Sequence, residues 1–127
     1  IKPNNFNCYV YLAEDSIYCD RVNTQKTFMS ITKDVAKGIT SYDPKGEKDK
    51  RGAYISSSVN LGNTTTIGAQ SIVGDNSTFG TRSSVKHSVI GNNCVFGDKC
   101  KVDNSIVLDN VHVEDGVIIK NSIICSG

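Results

Sequence analysis

Tryptophan is absent from this 127-residue chain, proline occurs only twice, and the aromatic complement is five Tyr and four Phe. So few bulky side chains exclude a broad core built from large residues and require a narrow one. An excess charge of one sign is also missing: 14 Lys and Arg stand against 13 Asp and Glu, a net of +1. The first 52 residues sum to +2 (nine bases, seven acids) and the rest to −1 (five bases, six acids), so neither half carries a field suited to nucleic acid or a membrane surface. No apolar run approaches the length needed to span a bilayer, and no signal-peptide pattern opens the chain. The five Cys are odd in number and contain no C-x-x-C pair, which argues against a disulfide framework or a zinc site and for a reducing compartment. The chain starts Ile1-Lys2-Pro3 without Met and closes on the apolar Ile123-Ile124-Cys125, so both ends read as cut from a longer polypeptide.

What the chain does have is a repeat. Ile55, Leu61, Ile67, Val73, Phe79 and Val85 recur every six residues, and Leu61, Ile67, Val73 and Phe79 are each followed by Gly. The series continues through Ile90, Phe96, Val102, Val107, Val113, Ile119 and Ile124, with steps of five into Ile90, Val107 and Ile124. Steps of six, six and five make a 17-residue coil. Two independent columns share that period: Ser71, Ser88, Ser105 and Ser122, and Asn76, Asn93 and Asn110, with Gly127 next in register. Asn and Gly tolerate φ > 0 and suit turns.

The period predicts a mainly β fold, a triangular solenoid of about four coils over residues 53–127, with one large apolar residue of each hexad on the prism axis. Stacked strands lie about 4.8 Å apart, so the prism is ~20 Å long. Small residues two positions before each axial residue, Thr65, Ser71, Ser77, Ser83, Cys94 and Cys100, share the interior, where stacked hydroxyls can hydrogen-bond along the ladder. The Gly after each axial residue is expected at a sharply turning corner, a place that Asp103, Glu114 and Lys120 take in later coils. Hexads of this form resemble the left-handed parallel β-helix family, and the handedness comes from that resemblance, since most β-crossovers are right-handed.

Residues 1–42 read differently. Cys8-Tyr9-Val10-Tyr11-Leu12 suits a strand, and Thr24–Lys37 a helix, with Asn23 as N-cap, Phe28, Ile31 and Val35 on one face and Gly38 as the stop. Lys26 stands three residues after Asn23, so a simple cap is expected, not a reciprocal box. Residues 43–52, DPKGEKDKRG, read as a charged polar linker with no means of burying itself.

No residue pattern amounts to an active site. His87 and His112 are weighed as general bases; His87 falls in a polar column with Gln70, Asn104 and Asn121, and His112 alternates outward between Val111 and Val113. Cys94 and Cys100 fall in the interior column, where a thiolate would be desolvated. The regularly spaced Gly lack the Lys-Ser/Thr of a phosphate loop, and Glu114-Asp115 reads as a corner turn. The expectation is no catalytic residue, no cofactor-binding residue and no metal ligand.

Four segments, Asn7-Cys8-Tyr9-Val10-Tyr11, Cys19-Asp20-Arg21-Val22-Asn23-Thr24, Ser83-Ser84-Val85-Lys86-His87-Ser88-Val89-Ile90-Gly91, and Val113-Glu114-Asp115-Gly116 through Ser122-Ile123-Ile124-Cys125, give a closer likeness. With them the chain resembles the gamma-type subunits of eukaryotic translation initiation factor 2B, over nearly its whole length. That resemblance implies a cytosolic, non-catalytic fragment of the guanine-nucleotide exchange factor that recharges initiation factor 2 with GTP. It implies partners in an epsilon-type and other subunits, contact with initiation factor 2 through the complex, and neither nucleic acid nor membrane. It also makes residues 1–42 the last strand and helix of a nucleotidyltransferase-like domain. The G-x-G-x-R type loop of that domain is absent from the chain, so no nucleotide site carries over. The alternative is the oligomerisation or regulatory tail of a sugar-phosphate nucleotidyltransferase, and after it a hexapeptide acyltransferase.

Overall fold

The computed structural model describes residues 7–44 and 46–126. Helix α1 (Gln25–Lys37) and strand β1 (Glu47–Lys48) precede four coils of very short strands. The first coil holds β2 (Tyr54–Ile55), β3 (Asn60–Leu61) and β4 (Thr66–Ile67), and the second β5 (Ile72–Val73), β6 (Thr78–Phe79) and β7 (Ser84–Lys86). The third holds β8 (Val89–Ile90), β9 (Val95–Phe96) and β10 (Lys101–Asp103), the fourth β11 (Ile106–Val107), β12 (His112–Val113) and β13 (Ile118–Lys120), and β14 (Ile123–Ile124) opens a fifth turn. Corresponding strands of successive coils pair in parallel, giving one sheet in the order β1-β2-β5-β8-β11-β14 and two of four strands, β3-β6-β9-β12 and β4-β7-β10-β13. The expected solenoid of about four coils is what the chain forms.

Register follows the hexads. Val73 pairs with Ile90 and Ile90 with Val107, whereas Ile55 pairs with Val73 and Phe79 with Leu61, so the first coil is one residue longer than the later ones. The saved residue lies at the corner after β7, β10 and β13, where the strand runs on through Lys86, Asp103 and Lys120 and no Gly follows the axial residue.

The axial column is the core: Ile67, Val73, Phe79, Val85, Ile90, Phe96, Val102, Val107, Val113 and Ile119 are all buried. Phe79 and Phe96 stack one coil apart with ring centroids at 4.7 Å and planes 6° apart, the aromatic form of the coil spacing. Leu61 departs from the expected column and is 40% exposed, because β3 is an edge strand with no coil beneath it among the described residues.

The interior small residues do more than fit. Ser71, Ser77, Ser83, Ser88, Ser105, Cys94 and Cys100 are buried. Their hydroxyls bond to backbone and not to one another: Ser88 Oγ accepts from Ser105 N (3.1 Å) and donates to Lys86 O (2.6 Å), and Ser105 Oγ accepts from Ser122 N (3.1 Å). Ser77 and Ser83 Oγ accept from Cys94 N and Cys100 N, both at 3.1 Å, and donate to the carbonyls of Gly91 and Gly97. Each small side chain stitches its corner to the next coil, so the buried oxygen is satisfied and its cost of ~1–3 kcal/mol is avoided.

The corner glycines are explained by space, not by φ. Among the described glycines only Gly38, Gly46, Gly52 and Gly116 have positive φ. A Cβ on Gly80 would sit 2.5 Å from the Gly97 carbonyl carbon, and one on Gly74 2.8 Å from that of Gly91, because the coils touch there. The left-handed turn is made further along by Thr64, Gln70, Asn76, Arg82, His87, Asn93, Lys99, Asn104, Asn110 and Asn121, with φ between 48° and 60°. The Asn76, Asn93 and Asn110 column thus turns as expected; Gly127 lies outside the described residues.

Three expectations for the first part of the chain are corrected. Cys8–Leu12 is not a strand: Tyr9, Val10, Tyr11 and Leu12 are 81–85% exposed, and no described strand lies beside them to complete a ladder. The N-cap of α1 is Thr24, not Asn23, and it forms a reciprocal box: Thr24 Oγ1 accepts from Thr27 N and Thr27 Oγ1 accepts from Thr24 N, both at 3.1 Å. A hydroxyl replaces the carboxylate usual at that place. Gly38 closes the helix at φ 77° as expected. The 43–52 segment is not wholly loop, since it contains β1 and a buried Pro44.

Candidate interaction surface

A three-sided prism offers three outer faces, each set by the residue preceding the axial one. On the β3-β6-β9-β12 face these are Asn60, Thr78, Val95 and His112, and on the β4-β7-β10-β13 face Thr66, Ser84, Lys101 and Ile118. Both are mixed and open to solvent, with Val95 40% and Ile118 60% exposed. The third face is apolar throughout: Tyr54, Ile72, Val89, Ile106 and Ile123 stand in register.

Helix α1 lies along that third face. Met29, Thr32 and Ala36 meet Val89 and Ile106, and the next ridge of Phe28, Ile31 and Val35 looks down on Ile72 and Val89. The N-terminal turn lies beside Asn121 and Ile123, and the chain after the helix reaches Ser56 through Tyr42 and Pro44, so α1 runs along the stack from last coil to first. Its 13 residues span ~20 Å, the height of the four coils. Lengths therefore match, and Ala36 at the contact is 3% exposed. The signal for this face was present in the Ile72-Val73, Val89-Ile90, Ile106-Val107 and Ile123-Ile124 dipeptides: Val95-Phe96 and Ile118-Ile119 are single apolar pairs on the other two faces, and only this face repeats the pair in every coil. On the flank facing the Asp75 and Asn92 corner, an open groove of about 510 Å³ remains between the helix and Ile72 and Val89, with Val22 and Tyr42 on its rim.

The weighed side chains are dispersed. His87 Nδ1 lies 3.5 Å from Asp103 Oδ1 at a half-exposed corner. The space shared by His87 and α1 is a void of about 10 Å³, closed by Met29, Lys33 and Ala36, with room for about one water and none for an acyl substrate. His112 points outward on another face, as alternation predicts. Cys94 and Cys100 lie in the interior, and burial pushes the Cys94 thiol above its ordinary range, the opposite of an activated nucleophile. Glu114-Asp115 is a corner, where Asp115 Oδ1 accepts from Asp98 N at 2.8 Å. The corner Asn and Asp serve the stack likewise: Asn92 Oδ1 accepts from Asp75 N, Asp109 Oδ1 from Asn92 N, and Asn76, Asn93 and Asn110 form an amide ladder at 3.4 and 3.3 Å. Among the described residues no three His, Cys, Asp or Glu converge on a metal position, and no helix is long and apolar enough to cross a membrane.

Comparison with known proteins agrees with this geometry. Residues 50–127, the whole solenoid, match the family described as the EIF2B subunit epsilon LbH domain. The translation initiation factor eIF2B subunit gamma of Dictyostelium discoideum is 37% identical over 87 residues, 68% of this chain and 20% of the relative. The chain spans about a fifth of the length of that relative. One match carries the name of the epsilon subunit and the other of gamma. The parallel coils, their 17-residue register and the match across all of them place the chain in the eIF2B family of left-handed β-helix (LbH) domains, in a gamma-like form.

Proposed function

We infer that this chain is a non-catalytic structural and interaction module of a gamma-type subunit in the translation initiation factor 2B complex, the guanine-nucleotide exchange factor acting on initiation factor 2. The observation that carries the reading is the match over residues 50–127 to a domain of this complex. The design of the prism supports it: its apolar face is occupied by the chain's own helix, its interior reactive groups are tied into backbone bonds, and two regular faces stay free. On this reading residues 1–42, with α1, are the end of a nucleotidyltransferase-like domain, 43–52 the connection, and 53–127 the solenoid. The module works in the cytosol and assembles with an epsilon-type subunit, whose own separate domain performs exchange.

Co-purification from cytosol tests this. The tagged parent protein is expected to bring down an epsilon-type subunit in stoichiometric amount. Recovery without any such subunit, under conditions where other subunits of the complex stay associated with one another, contradicts it.

A further inference from the structure

Every neighbouring pair of solenoid strands is parallel and 17 or 18 residues apart, except the first pair of the largest sheet. There β1 runs antiparallel to β2, with Glu47 opposite Ile55 and Lys48 opposite Tyr54. The chain returns through a tight turn in which Asp49 N donates to Ala53 O (2.7 Å), Gly52 N to Asp49 O (2.8 Å), and the Asp49 carboxylate accepts from Arg51 N (2.9 Å). Ala53 is fully buried, and Lys48 Nζ lies 5.4 Å from the centre of the Tyr54 ring. At Gly46, φ is 125° and an added Cβ would fall 2.9 Å from the carbonyl carbon and oxygen of Ile55, so only Gly lets the chain come this close. The hairpin is thus seated on the strand edge and not merely near it.

Its position has a consequence for assembly. Tyr54 N and Ser56 N donate to the carbonyls of Ser71 and Val73 in the next coil. By alternation the Ile55 N–H points the other way, to the layer that a preceding coil would occupy. β1 fills that layer but runs in the wrong direction to feed a further coil. It is two residues long, and Glu47, Lys48, Asp49, Lys50 and Arg51 make the hairpin charged, the composition by which sheet edges are kept from pairing. We propose that the Gly46–Ala53 hairpin caps the first edge of the largest sheet and blocks edge-to-edge pairing of a second copy of this chain there. This goes beyond the assembly role above and stands whether or not an epsilon-type subunit is the partner.

The test uses the full chain with Gly46→Val, which displaces β1 and leaves the coils untouched. Amide exchange by NMR should show the Ile55 N–H at least ~10-fold faster than in the parent, with the Val89 and Gly91 amides unchanged. Sedimentation velocity should show mass rising with concentration beyond that of the parent chain. Unchanged Ile55 exchange overturns the proposal, and so does faster Ile55 exchange with no added association. If Val89 and Gly91 also lose protection, a Gly-Ser replacement of Glu47–Gly52 of equal length is read by the same two criteria.

Discussion

Phe96→Ala, set against its neighbour Val95→Ala, is the sharpest test of the register. The two residues are adjacent on β9, yet Phe96 is 2% exposed on the axis and Val95 40% exposed on an outer face. Truncating a buried Phe costs ~3–5 kcal/mol through lost transfer energy and the cavity left behind. Part of that loss is specific, because Phe96 stacks on Phe79 at 4.7 Å, and an aromatic pair contributes ~0.5–1.5 kcal/mol beyond its area. The cavity cannot collapse readily, since the coils above and below are held apart by the backbone ladder. For a chain of this size the sum corresponds to a drop in Tm on the order of 10–20 °C. Val95→Ala removes two half-solvated methyls and should cost less than ~1 kcal/mol. Thermal unfolding followed by circular dichroism measures both, and a Phe79→Ala, Phe96→Ala double-mutant cycle isolates the coupling. Equal Tm losses for Phe96→Ala and Val95→Ala, or none for Phe96→Ala, would refute the axial assignment.

Gly80→Ala, although its φ is ordinary, should destabilise by ~1–3 kcal/mol because the added methyl meets the Gly97 carbonyl, and chemical denaturation against the parent checks it. Thr64→Asn should stabilise by on the order of 1 kcal/mol, since a β-branched residue at φ 60° is strained and Asn is not, as the same denaturation reads out. Ser105→Ala strands the Ser122 N–H and should cost ~1–3 kcal/mol, with Ser105→Cys milder, as Cys94 and Cys100 already occupy equivalent places. The hydrogen bond from Tyr18 Oη to the Asp34 carboxylate (2.8 Å), helped by desolvation, pushes the phenol from its ordinary value near 10 up to about 12. A raised pKa stabilises fully below the unfolded value and loses its effect as pH climbs through the folded one, so this contact should weaken between pH 10 and 12; phenolate absorbance should show Asp34→Asn returning the midpoint toward 10.

The repeat was legible because one large residue per six and two 17-residue columns are a direct print of the prism. The interior Ser and Cys column was legible for the same reason, though its bonding was not: hydroxyls reach the next coil's backbone, a geometry no spacing reveals. The corner glycines were found for the wrong cause, since close approach and positive φ select the same residue. Arg82, Lys99 and His87 show why the true turn positions were hidden, for long polar side chains at φ > 0 are tolerated only where the stack holds the corner. The seating of α1 along the face of Ile72, Val89, Ile106 and Ile123, tightest at Val89 and Ile106, was encoded in the apolar dipeptides but needed the third dimension to appear. Cys8–Leu12 misled because strand propensity describes a segment that still requires a neighbour.

The central proposal is a module that assembles with an epsilon-type subunit and does not itself drive exchange. Release of labelled GDP from initiation factor 2 tests it most directly, with the chain alone, an epsilon-type subunit alone, and the two together. The account predicts no acceleration by the chain alone and acceleration in both samples that hold the epsilon-type subunit. Accelerated release by the chain alone would contradict it.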